Sequence, residues 1–236
     1  MNNAKEIVEA AGNGFIKDLV RLLPLGRTAI DIYEEFQTKQ IERKIKRLEE
    51  FYANLAATVS VQEERINKEY VNKEDFLDVF EEATRYVVIE RQEQKRSLFK
   101  NILANSILSS DCDYDKTERY FRLLDNLGDL ELRVLAVLDN PEKYNQSHGM
   151  IIKDPINNAY QTTWNTVTSV GVLTQLLGLN VHQAEEAIAV LFSNGLIIEN
   201  SLSKRLQTNG NTIYVLKNLL TIRGKDFVKF LKSEKE

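Results

Sequence analysis

Few residues in this chain are spaced for chemistry, and each arrangement that approaches a known site fails at a specific position. Asp111, Asp113 and Asp115 imitate the opening of a calcium loop. That loop needs glycine at its sixth position for a sharp turn and a bidentate glutamate at its twelfth. Lys116 and Arg122 stand there instead. Gly12-Asn13-Gly14 precedes a helical run, but no strand leads into it and no Gly-Lys-Ser/Thr follows, so a phosphate loop is not expected. His148 and His182 are far apart and neither belongs to a paired-ligand motif. The lone cysteine, Cys112, excludes an internal disulfide and a Cys-based zinc site. Aspartates on both sides of Cys112 should raise its pKa and blunt it as a nucleophile. Carboxylates are abundant, and abundance assigns no general acid or base. The expectation is a non-enzymatic chain with no catalytic residue, no metal and no cofactor.

Binding residues are the alternative. Two basic clusters lie in the first half, Lys39, Arg43, Lys44, Lys46 and Arg47, then Arg91, Lys95, Arg96 and Lys100. Glu42, Glu49, Glu50, Glu90 and Glu93 interleave with them. Such mixing is expected to give i,i+4 ion pairs on a wet helix face. Farther on, Lys204, Arg205, Lys225 and Lys229 are the candidate DNA contacts. Tyr144, Ile151, Tyr160 and Trp164 form a candidate partner surface.

The elements that must position these residues are mainly helical. The chain has 236 residues, a formal net charge of −4, 43% hydrophobic and 28% charged residues, with ten Gly and three Pro. That composition suits a soluble protein of one large or two small domains and excludes collagen-like and Pro/Gly-rich disordered classes. No apolar run approaches the ~20 residues of a spanning helix. The polar, acidic start MNNAKEIVEA does not resemble a signal peptide, so a cytoplasmic protein without membrane contact is expected.

Residues 1–126 are expected to form a helical domain. A first helix spans about residues 3–23, ended by Pro24 and Gly26. A second runs from about Thr28 to Val59, where Ile41, Ile45, Leu48, Tyr52, Leu55 and Val59 recur at heptad spacing and form a candidate oligomer seam. A third, capped by Asn72, runs from Lys73 to Leu108 with Phe76, Phe80, Ala83 and Val87 inward, then Leu98, Ile102 and Leu103. At ~1.5 Å per residue the last two would make a long, coiled-coil-like helical hairpin. A polar break at Ser109–Asp113 and a short helix at 114–126 follow.

Residues 127–236 carry the more specific pattern. Leu130–Leu138 reads as a helix with Leu132, Leu135 and Leu138 inward. Pro141 stops it, and an insertion at about 140–167 follows. Val172–Leu177 is a helix ending at Gly178. Val181–Ser193 is another, burying Ala184, Ala187, Ile188, Leu191 and Phe192. Asn194-Gly195 terminates it in left-handed geometry. Leu196–Glu199 and Thr212–Leu216 read as strands joined across Asn209-Gly210, a hairpin dipeptide. The last helix, Leu220–Leu231, turns Phe227, Phe230 and Leu231 inward. The string LLGLNVHQAEEAIAVLFSNGLIIE … YVLKNLLTIRGKDFVKFL thus resembles a winged helix-turn-helix with a two-stranded wing.

In that resemblance the helix at 181–193 would read DNA, yet its first turns expose His182, Gln183, Glu185 and Glu186 and carry no Lys or Arg. Carboxylates facing phosphate oppose binding. The segment RSLFKNILANSILSSDCDYDKTERYFRLLDNLGDLELRVLAVL, leading into this pattern, is similar to abortive-infection alpha-type proteins of bacteria and prophages, and the resemblance implies an association with phage resistance. Two functions stay open. One is an interaction protein that forms a homo-oligomer or binds a protein partner. The other is a regulator that binds nucleic acid through its C-terminal domain.

Overall fold

The computed structural model describes residues 39–71, 73–110, 112–152, 165–198, 205–208 and 212–232. The chain is mainly helical. By its own contacts it divides into two units, one Met1–Asp125 with Phe230–Glu236, the other Asn126–Lys229. The expected helix at 3–23 lies outside the described residues.

In the first unit, α1 (Lys39–Ser60) leads through a 3-10 turn (Glu63–Arg65) and the short α2 (Lys68–Val71) to α3 (Glu74–Ile89), α4 (Glu93–Leu108) and α5 (Tyr114–Asn126). The expected single helix from Lys73 to Leu108 is therefore two helices. Asn72, its expected cap, lies outside the described residues; the residue before α3 is Lys73, whose side chain forms no cap. The helical hairpin is replaced by a packing in which α1 lies against both α3 and α4, and those two lie against each other.

The elbow at 90–92 separates α3 from α4, and Glu90 there is extended. Neither glycine nor proline forces the break; side chains seal it. Arg96 donates to the carbonyls of Glu90 (3.4 Å) and Arg91 (2.8 Å), and the Gln92 amide donates to the Glu90 carboxylate at 2.7 Å. Lys95 reaches Glu90 at 3.7 Å and donates to the Asp125 carbonyl at 2.9 Å.

The core of this unit is aromatic. Tyr52 stacks on Phe80 and Tyr86 stacks on Phe99, with centroids 5.4 and 5.0 Å apart, and Phe121 of α5 tilts against Phe99. Offset aromatic contacts of this kind add to the area they bury. The Thr84 hydroxyl donates to the Phe80 carbonyl, which leaves it to accept from Tyr52 at 2.8 Å. Phe230 rejoins this unit against Tyr120, and Asn101 and Asn105 donate to the carbonyls of Leu231 and Phe230, satisfying acceptors that end a helix.

In the second unit, α6 (Asp129–Asp139) is followed at once by α7 (Pro141–Ser147). Pro141 does not merely stop α6. It occupies the first turn of α7, where its missing N–H costs nothing, and the Asn140 side chain accepts from the Lys143 amide at 2.9 Å. The insertion thus begins as helix. Asn145, buried, then exchanges two 2.9 Å hydrogen bonds with the backbone of Ile152 and ties off the loop between them.

Next come β1 (Asn165–Thr168), α8 (Ser169–Leu177), α9 (Val181–Ser193), β2 (Arg205–Thr208), a 3-10 turn (Thr212–Leu216) and α10 (Ile222–Leu231). The expected wing differs. Leu196–Ile198 contributes only a bridge, Ile197 to Leu220, and Thr212–Leu216 is a 3-10 turn. The antiparallel pair that exists joins β1 to β2, with Asn165 opposite Thr208. Val215 and Leu216 are both buried, and a half-buried strand, with its period of two, cannot turn consecutive residues inward. Asn209-Gly210 lies outside the described residues.

Candidate functional site

The surface best defined by its local structure surrounds α9. Gly178 adopts a left-handed conformation (φ 64°), ending α8 and turning the chain sharply into α9. Asn180 and Gln183 then form a reciprocal capping box, amide to side chain, at 2.9 and 3.1 Å. Ala184, Ala187, Ile188 and Leu191 face inward at helical spacing, and α9 packs on α6 and α8.

That fixes what α9 leaves to solvent. Val181, His182, Gln183, Glu185 and Glu186 are exposed, and His182 lies 3.5 Å from Glu186 one turn on. Phe192, expected in the core, is instead 40% exposed. The Thr221 hydroxyl donates to the Gly195 carbonyl at 2.7 Å and the Ile198 amide donates to Leu219 at 2.9 Å, so the chain just after α9 and the start of α10 are tied together. On this knot Ile198 is 53% and Ile222 90% exposed. The result is an acidic helix face whose far end is apolar.

The sequence-derived candidates fall in several places. Of the DNA-contact set, Lys225 and Lys229 are exposed on α10, Arg205 starts β2, and Lys204 lies outside the described residues. Of the partner-surface set, Tyr144 is half-buried and stacks on His148 at 4.0 Å, Ile151 is exposed, and Tyr160 and Trp164 lie outside the described residues. Ile152, beside Ile151, is buried.

In the heptad stripe, Tyr52, Leu55 and Val59 are buried within the first unit, so this end of the stripe is core and not a free seam. Ile45 and Leu48 are half-buried, and the Ile41 side chain is not among those described.

Among the described residues no group of three or more His, Cys, Asp or Glu could hold a metal ion. Cys112 is buried, its Sγ 3.0 Å from the Thr117 hydroxyl, which itself donates to the Asp113 carbonyl. Its thiol pKa is raised, but chiefly by burial, with the Asp113 charge a smaller cause than the flanking aspartates suggest in sequence.

Two arrangements escaped the sequence reading. One is the apolar end of α9, signalled only by Phe192 falling one position off the inward stripe. The other is the gathering of part of each basic cluster near the α3–α4 elbow. Among the described residues no helix is long and apolar enough to cross a membrane. No family model, no curated protein and no solved structure matches this chain.

Proposed function

We propose that this chain is a non-enzymatic interaction protein whose contact face is α9 and the apolar residues at its end. The observation that carries the reading is the character of that face. Glu185 and Glu186 stand exposed with no Lys or Arg on the helix, beside exposed Val181, Phe192, Ile198 and Ile222. A phosphate backbone is repelled by the carboxylates and gains nothing from the apolar rim. A protein surface gains from both, because apolar anchors with a polar rim are how protein contacts are built. The winged-helix reading enters here in the form of a protein-binding module, and the likeness to abortive-infection alpha-type proteins extends the proposal to phage defence or prophage function.

The test is size-exclusion chromatography with light scattering on the full chain over a range of concentrations, at low salt, with and without a pool of random duplex DNA. The expected outcome is an oligomer whose mass ignores the DNA and falls in the double variant Phe192→Ser/Ile222→Ser. A salt-sensitive complex with DNA, weakened by Lys225→Ala and Lys229→Ala, would overturn the proposal in favour of a DNA-binding regulator. A monomer at every concentration would count against self-association as the contact.

A further inference from the structure

In sequence the two basic clusters are more than forty positions apart and diluted by glutamates. Folding gathers part of each around one cavity of about 540 Å³, lined among the described residues by Arg43, Lys44 and Arg47 of α1 and by Ile89 and Arg91 at the elbow. We propose that this cavity is a binding site for a compact ligand bearing several phosphate groups.

The argument rests on how the surrounding charges are used. Glu90, the acidic residue between Ile89 and Arg91, is taken up by Lys95 and by the Gln92 amide. Glu50 is paired with Lys46 along α1. Carbonyls at the end of α3 and in the elbow are occupied as well. Arg47 donates to Val88 at 3.0 Å, and Arg96 donates to Glu90 and Arg91. No carboxylate is among the described lining residues, and Arg43, Lys44 and Arg91 make no ion pair with a described residue.

Among the described lining residues no carboxylate offsets this positive charge, and Arg47 is held beside the cavity by its bond to the Val88 carbonyl. Three guanidinium groups favour phosphate over a single carboxylate, because their planar forks bond several oxygens at once. The volume falls within the range of about 300–1,000 Å³ typical of small-ligand sites. A chain with net charge −4 offers no extended positive field to track a nucleic acid, so a compact polyanion fits better than a duplex. Ile89, 60% exposed, supplies an apolar wall.

The experiment is calorimetric titration of inorganic tripolyphosphate into the full chain at low salt, repeated with ATP and with duplex DNA as competitor. The test variant is Arg43→Ala/Arg91→Ala. Its control is Lys73→Ala/Arg85→Ala, which removes the same charge from two exposed ion pairs that do not line the cavity. Thermal melts of both variants check that each is folded.

The expected result is salt-sensitive binding of tripolyphosphate, weakened about tenfold or more in the test variant and little changed in the control. Equal binding of ATP would mean that the triphosphate alone is read, and tighter binding would point to a nucleotide as the source. Absence of binding at low salt, or equal weakening in both variants, overturns the proposal. Duplex DNA that displaces tripolyphosphate, and is itself lost with Arg43 and Arg91, overturns it in favour of a nucleic-acid site.

Discussion

Gly224 shows how a single atom can decide packing in this chain. A Cβ built there would overlap the Leu196 carbonyl oxygen and lie 3.0 Å from its carbon. The obstruction is backbone, which a rotamer change cannot relieve. The same backbone bonds Thr221, whose amide donates to Leu196 at 3.0 Å and whose hydroxyl caps α10 through the Gly224 amide at 2.9 Å. Gly224→Ala is therefore expected to destabilise the second unit by about 3 kcal/mol, the upper part of the overpacking range. A urea titration checks it, and an unchanged midpoint would mean that α10 can lift off without cost. Nothing in the sequence marks this glycine, since helix propensity alone makes alanine there an improvement.

At the scale of elements, the α3–α4 elbow deserves the closest test because it assembles both the aromatic core and the basic cavity. The sequence conceals it for a geometric reason. The residues that read as inward in the sequence, Val87 and Leu98, are eleven positions apart, close to three full helical turns, so the apolar stripe keeps its phase there. In the fold Leu98 is half-buried and Phe99 is the buried one. The break is held by the Lys95–Glu90 pair, whose side chains are only 10% and 17% exposed. Lys95→Ala would leave a largely buried carboxylate without its cation and the Asp125 carbonyl without its donor. A loss of about 3 kcal/mol is expected, with a smaller loss for the double variant Lys95→Met/Glu90→Gln, in which no charge is stranded. Equal losses in chemical denaturation would show that packing, not charge, holds the elbow.

Over the whole molecule, the first unit carries a pH dependence that its composition does not reveal. Burial pushes Tyr52, Tyr70 and Tyr86 up to about 12, from an ordinary value of 10.0. Above the ordinary value the unfolded chain releases phenolic protons that the folded chain retains. Stability is therefore fully present below about pH 10 and declines as pH rises towards 12. For Tyr52, buried against Phe80, a shift of about two units corresponds to about 3 kcal/mol. Tyr52→Phe should flatten the slope between those pH values, at the cost of the Thr84 hydrogen bond. Urea midpoints measured with tyrosinate absorbance across that range test this, and a midpoint constant with pH would contradict it. The proposed functions belong to separate units, since the described lining of the cavity lies in the first and the described residues of the α9 face lie in the second.

Periodicity and end signals were enough to determine the mainly helical class, the span of α9 and the left-handed glycines at 178 and 195, because these depend on residues within a turn or two of each other. The same local signals explain the exposed His182, Gln183, Glu185 and Glu186, which follow from the inward stripe of one helix. Contacts between distant segments decided the rest. Thr212–Leu216 has the β-branched and aromatic composition of a strand, yet it becomes a 3-10 turn through the Ser169 hydroxyl, which donates to Val215 at 2.9 Å, and through packing on α8. Arg43 and Arg91 become neighbours of one cavity because the elbow lets α4 fold back on α1. Residue type sets what each short segment can form, and the choice among those forms passes to partners far along the chain, where burial and pairing outweigh local propensity.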